Sequence, residues 1–188
     1  MATNKNSCTN RIVPLDRDKW AGHKFAKFSY TSDSYYDVEI ACNDGNFHVS
    51  FVKKPFDPPF KMNPDEYDVL FQPWWEDAKA WGTLEDEKLI AVIETAVGWG
   101  NRLRVTELWV DDAYHRQGIA TALMDIAVVR AKEENRRGIV LEAQSCNSGA
   151  IAFYLAYGFT LIGFDSCAYQ NDDLQRKEVR IEFGMNLM

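Results

Sequence analysis

Between residues 118 and 134, apolar side chains recur at 119, 123, 126 and 127, the spacing of one helix face, and Gly138 follows as a stop. Before this helix the pattern is that of strands. Asp37-Val38-Glu39-Ile40 alternates polar and apolar residues, Asn43-Asp44-Gly45-Asn46 signals a turn, and residues 47–52 alternate again, which predicts a hairpin. Three further strands are predicted over 78–84, 88–97 and 102–110, joined at Glu85-Asp86-Glu87 and at Gly98-Trp99-Gly100-Asn101 as an antiparallel meander. After the helix come a short buried strand over 139–143, a helix over 148–157 ended by Gly158, and two strands at about 159–169 and 177–183. A meander followed by β-α-β-α-β-β implies an α/β fold, a mixed sheet with helices packed on it.

Two stretches read differently. Residues 15–30 mix Trp20, Phe25, Phe28 and Tyr30 with polar positions, consistent with a short helix or a loop. Prolines at 55, 58, 59, 64 and 73 predict an extended loop over 54–73 with at most one short helix.

A chain of 188 residues suits one packed core, and 46% hydrophobic content argues against general disorder. No stretch approaches the roughly 20 apolar residues of a membrane span. Residues 1–10 are polar, without the apolar run of a secretory signal, so the expectation is a soluble cytoplasmic protein. The four cysteines and three histidines are scattered without metal-ligand spacing, so no metal is expected and the thiols are read as reduced and mostly buried.

Charge changes the picture more. Of the net −7, residues 30–90 carry thirteen acidic and five basic side chains, so the acidity belongs to the first half. Such a field disfavours nucleic acid and concentrates cationic ligands, although a plain solvated surface would look the same.

The chemistry is concentrated in two places. Leu108-Trp109-Val110 leads through Asp111-Asp112-Ala113 into His115-Arg116-Gln117-Gly118-Ile119-Ala120, which opens the first helix. Backbone amides at a helix start lack intrahelical acceptors and carry partial positive charge, which suits a diphosphate. Gly118 and Ala120 let a phosphate come close, and Thr121 can add a hydroxyl. The second place is Asn147-Ser148-Gly149-Ala150-Ile151-Ala152-Phe153-Tyr154-Leu155-Ala156-Tyr157-Gly158-Phe159, where Asn147, Ala150 and Tyr154 share one helical face. Either segment alone would be read as ordinary helix packing.

Together, in this order and separation, the two segments resemble the pyrophosphate loop (Arg/Gln-x-x-Gly-x-Gly/Ala) and the Asn-x-x-Ala-x-x-Phe-Tyr-x-x-x-Gly-Phe signature of the GNAT acetyltransferases. His115 stands where that family usually has Arg or Gln. The resemblance covers about residues 85–165. The run from Gly158 to Asp165, Tyr169, residues 177–182 and Leu141-Glu142-Ala143-Gln144 are similar to the streptothricin acetyltransferase branch.

The resemblance implies a mixed, mostly antiparallel sheet splayed at a central parallel strand pair, with flanking helices. It implies one domain over 1–188, with a variable acceptor side over 1–75 and an acetyl-CoA-binding core over 76–188. Acetyl-CoA would be held by Leu108, Trp109, Val110, the run His115, Arg116, Gln117, Gly118, Ile119, Ala120 and Thr121, and by Asn147, Ala150 and Tyr154. A backbone amide near Trp109 or Val110 would polarise the thioester carbonyl. Tyr154 would act as general acid, and Glu107 would rank first as base ahead of Glu94 and Glu142.

The implied acceptor is a primary amine on a small cationic substrate, foremost the β-lysine amine of streptothricin. Asp65, Glu66 and Asp68, with Tyr67, Trp74 and Trp75, are candidates to receive it. A polyamine or a protein lysine is the alternative acceptor, and a non-catalytic acyl-CoA sensor or antibiotic-sequestering module the rival of another class. Neither nucleic acid nor membrane is expected as a partner. A homodimer stays open, since the helix over 124–130 and the aromatic-rich loop could each support one.

Overall fold

A computed structural model describes residues 12–23, 30–62 and 69–187. In chain order its elements are β1 (Ile12–Leu15), α1 (Arg17–Trp20), β2 (Tyr30–Asn43), β3 (Asn46–Met62), β4 (Lys79–Glu85), β5 (Lys88–Gly98) and β6 (Arg102–Val110). They continue with α2 (Ile119–Glu133), β7 (Gly138–Gln144), α3 (Ser148–Tyr157), β8 (Thr160–Asp165), α4 (Asp173–Arg176) and β9 (Arg180–Asn186). These residues form two compact units: residues 12–23, 69–140 and 186–187 make the first, and residues 30–62 and 141–185 the second.

In the first unit, the predicted meander forms as three antiparallel strands. β4 meets β5 from Lys79↔Thr95 to Glu85↔Lys88, and β5 meets β6 from Gly98↔Arg102 to Ala91↔Val110. β5 is the most apolar of them and is buried over nearly its whole length. β1 adds outside β4, from Ile12↔Thr83 to Leu15↔Ala80. Four residues around Pro14 are too few to show a strand period, so this element escaped the sequence reading.

β7 begins parallel to β6, pairing Arg102↔Gly138, Leu103↔Ile139 and Arg104↔Val140. The fold is thus the expected mixed one, mostly antiparallel with a parallel pair and flanking helices. A core of Leu15, Trp20, Leu70, Phe71, Ala80, Leu89 and Val92 forms, with Trp75 and Trp109 packed against it. α2 buries Ile119, Leu123, Met124, Ala127 and Ala131 at helical spacing. Its last turn also buries Arg130, whose guanidinium donates to the Thr95 carbonyl and hydroxyl at 2.8 Å each, and to Asp77 Oδ2 and Glu134 Oε1, again at 2.8 Å. Every face of that charge is hydrogen-bonded, which offsets its desolvation.

In the second unit, β2 and β3 form the predicted hairpin, but it is far longer than the alternation suggested, with pairs from Tyr30↔Met62 to Asn43↔Asn46. This corrects the reading of the proline-rich stretch as a loop from residue 54 onward, since β3 runs through Pro55, Pro58 and Pro59. The register jumps from Ser34↔Pro55 to Ser32↔Phe60, leaving residues 56–59 opposite Asp33 alone. A bulge needs no ladder donor there, and a strand of a two-stranded ribbon has one open edge, so proline is tolerated.

The hairpin is anchored by buried hydroxyls. Ser148 Oγ, at the start of α3, lies 2.9 Å from Ser32 Oγ and 3.0 Å from Ser34 Oγ. Asp37 receives Lys54 at 2.5 Å and Lys177 at 2.7 Å, and these ammonium groups hold its carboxyl below the usual range. β9 lies between β7 and β8, and the unpredicted helix α4 fills the connection before it. Of the described cysteines only Cys146 is buried; Cys42 and Cys167 are exposed, which corrects the expectation of mostly buried thiols.

Candidate active site

Where β6 ends, the Asp111 amide donates to the Ile90 carbonyl at 2.8 Å and the Asp111 carboxylate accepts from the Ala113 amide at 3.0 Å, capping a single 3-10 turn over Asp112–Tyr114. The Tyr114 hydroxyl donates to Glu85, tying this turn to the end of β4. The chain then crosses left-handed backbone at Arg116, with φ 59°, and at Gly118, with φ 81°, before α2 begins. No side chain caps the helix. From Arg116 to Thr121 no backbone amide has an acceptor among the described residues; the first to find one is Ala122, bonded to the Gly118 carbonyl at 3.0 Å.

A Cβ at Gly118 would meet no atom within 4 Å, so the space at that residue is open. His115, Arg116, Gln117 and Gly118 are exposed, and Ile119 is buried beneath them. His115 Nε2–H donates to the Val110 carbonyl at 2.8 Å, so the imidazole fixes the exit of β6. That explains how a histidine can occupy this position: its ring is a strut for the loop and leaves the amides clear.

Leu108, Trp109 and Val110 pair with Ile93, Val92 and Ala91. One irregularity precedes them. The β5–β6 register passes from Thr95↔Val105 to Glu94↔Glu107, so Thr106 is the extra residue of a bulge. Its hydroxyl donates to Glu94 Oε1 at 2.8 Å, and the Phe71 amide donates to Oε2 at 2.5 Å. Burial pushes the Glu94 carboxyl up, and the Phe71 amide, the Thr106 hydroxyl and Arg17 offset only part of that.

Glu107 is half-buried, directly across from Glu94. The sequence reading ranked both glutamates as bases and missed Thr106 and Phe71. The available signal was one carboxylate inside the apolar run of β5.

In the second unit, α3 presents Asn147, Ala150 and Tyr154. Asn147 is the N-cap, its Oδ1 accepting from the Ala150 amide at 3.0 Å. Tyr154 is buried, its ring within about 6 Å of Phe153, Phe159 and Phe183 by centroid distances of 5.8, 6.1 and 6.0 Å. Gly158, at φ 116°, ends the helix, with amides of Gly158 and Phe159 donating back to the Tyr154 carbonyl at 3.2 and 3.0 Å.

Glu142 is half-buried on β7, 4.0 Å from Arg180 Nε. Trp75 is half-buried beneath the Arg104 guanidinium at 5.9 Å, and Trp74 is exposed. Asp65, Glu66, Tyr67 and Asp68 lie outside the described residues.

A bulged strand that runs into an uncapped helix start marks a mixed α/β protein, and the chain matches the GNAT acetyltransferase family over residues 49–159, more than half its length. It belongs to that family. Among its relatives is streptothricin acetyltransferase of Escherichia coli, 30% identical over 95 residues, a match spanning 50% of this chain and 55% of that protein. Streptothricin acetyltransferase A of Bacillus subtilis is 26% identical over 125 residues, spanning 65% of this chain and 71% of that one. The same fold occurs in a Bacillus anthracis protein assigned as a streptothricin acetyltransferase and solved with acetyl coenzyme A; its TM-score is 0.71 at 23% identity, covering 95% of this chain and 97% of that one.

Proposed function

We propose that this protein transfers an acetyl group from acetyl-CoA to a primary amine of a small cationic substrate of the streptothricin type. The observation that carries the reading is the row of six amides from Arg116 to Thr121, without an acceptor among the described residues, around a left-handed Gly118 at the start of α2. These donors suit a diphosphate, and the exposed Arg116 adds charge. Leu108, Trp109, Val110, His115, Arg116, Gln117, Gly118, Ile119, Ala120 and Thr121, with Asn147, Ala150 and Tyr154, are the residues that would hold the coenzyme. Acetyl-CoA supplies an activated acyl thioester.

The protein's part is proton handling and orientation. A lysine-like amine has a pKa of about 10.4 and arrives protonated, so a base must accept a proton before attack. Glu107, half-buried on β6 beside the bulge, is assigned that role, directly or through water. A main-chain amide near Trp109 or Val110 would stabilise the developing oxyanion. The neutral amine would attack the thioester carbonyl directly, so that no cysteine is needed as nucleophile, and as the C–S bond breaks Tyr154 would protonate the departing thiolate.

The acceptor class is supported by the two streptothricin acetyltransferase relatives and by the excess of acidic residues over 30–90. A polyamine or lysine-peptide acetyltransferase would use the same coenzyme loop. A panel of streptothricin, spermidine, an aminoglycoside and lysine peptides, followed by thiol release from acetyl-CoA, separates them. The largest kcat/KM is expected with streptothricin, and neutralising Asp65, Glu66 and Asp68 together should raise its KM at low salt. Faster turnover of spermidine or a peptide would replace the acceptor, and no release with any amine would overturn the enzymatic reading.

A further inference from the structure

Glu94 is sealed from solvent within β5, between Ile93 and Thr95, which are equally sealed. A buried carboxyl is unfavourable unless its oxygens are satisfied, and here each has its own donor. Thr106, the extra residue of the β6 bulge, holds Oε1 at 2.8 Å, while the Phe71 amide holds Oε2 at 2.5 Å. Phe71 is itself unusual. It is buried, it has φ 58°, a region that bulky L side chains rarely adopt, and the Arg17 guanidinium lies over its ring at 5.6 Å. One carboxyl therefore joins two irregular backbone sites, the bulge in β6 and the left-handed turn before β4.

We propose that Glu94 is a positioning residue for acetyl transfer, clamping the Thr106 bulge to the Phe71 backbone and thereby setting the direction in which Glu107 and the Leu108–Val110 run are presented. The inference rests on the acetyltransferase reading above. A base must reach the amine, directly or through one water, and a carboxyl with no exposed surface and both oxygens engaged does not. A bulge, by contrast, re-aims the residues that follow it, and Glu107 follows this one immediately.

The test compares Glu94→Gln, Glu94→Ala and Thr106→Val. Glutamine keeps the clamp, because its amide oxygen can accept from Phe71 while its amino group donates to the Thr106 hydroxyl; kcat should stay within about threefold. Alanine and the threonine variant open it, and kcat should fall by about 10- to 100-fold with the KM for acetyl-CoA nearly unchanged, the pattern of misplaced reacting groups. Thr106→Val serves if Glu94→Ala fails to fold.

In amide correlation spectra of the free protein, resonances of residues 106–110 should move in Glu94→Ala and stay in place in Glu94→Gln. If Glu94→Gln loses as much activity as Glu94→Ala, the charge itself is required and positioning is wrong. Full kcat in Glu94→Ala or Thr106→Val, or unmoved resonances in Glu94→Ala, would equally overturn it. The spectra need no turnover, so an absence of acetyl transfer would count against the functional reading alone.

Discussion

Replacing Gly118 by alanine tests the coenzyme loop most directly, because the structure separates its effect on folding from its effect on binding. In the free protein the new Cβ would meet nothing within 4 Å, so no packing is disturbed. What remains is the left-handed backbone, φ 81°, which disfavours an L side chain by roughly 1–2 kcal/mol. For a chain of this size that corresponds to a fall in Tm of about 2–8 °C. The strain is present with and without ligand, so it cancels in the affinity. The methyl group, however, takes up open space at Gly118, in the middle of the loop that a diphosphate would have to approach. Losing even one good contact there should raise the Kd for coenzyme A about tenfold, or about 1.4 kcal/mol.

Isothermal titration calorimetry at fixed salt reads this number. Gly45→Ala is the control: it too has positive φ, 79°, and open space at Cβ, but it sits in the hairpin turn. It should lose similar stability and no affinity. A Kd for Gly118→Ala within twofold of wild type, or an equal loss in Gly45→Ala, would refute the assignment of the loop.

Tyr154→Phe should lower kcat while leaving coenzyme affinity near wild type, as calorimetry and steady-state kinetics can show together; full turnover would remove Tyr154 as the acid. Arg130→Met should cost about 3–5 kcal/mol in urea denaturation, since it strands the Thr95 and Asp77 oxygens that the buried guanidinium serves. Glu134 gives a pH prediction. Burial would push its carboxyl up, but hydrogen bonds from Arg130, Arg136 and Lys79 outweigh that and bring it down to about 2. A depressed pKa means stability that is complete above the ordinary carboxylate range and lost as pH falls from about 4.5 towards 2. Wild type should therefore exceed Glu134→Gln in stability at pH 6 and approach it at pH 2.5; a constant gap would refute the linkage.

Local signals in the chain reached far in the second half. α3 was legible to the residue, because Asn147 and Gly158 are strong cap signals that work within one turn. The strands of the meander were equally readable, since Asp86-Glu87 and Gly100-Asn101 supply the positive-φ turns between them. β1 was not, having four residues and a proline. The outer half of β3 was misread because proline is judged as a breaker unless the pairing partner is known, and only the register with β2 reveals the bulge that accepts it.

The sequence alone determined the chemistry on offer. Residue types at short, fixed spacing placed Gly118 at the start of α2 and Asn147 and Gly158 at the two ends of α3, because helical periodicity and capping are local. What only tertiary structure decided was which carboxylate is sealed and which is not. Glu94 lies inside an apolar run and Glu107, thirteen positions on, follows an alternating one, but neither pattern names the neighbours that close over a carboxylate. Pairing sets them opposite each other, then buries one against Phe71 and Thr106 and leaves the other half-exposed, since burial depends on neighbours brought from distant segments.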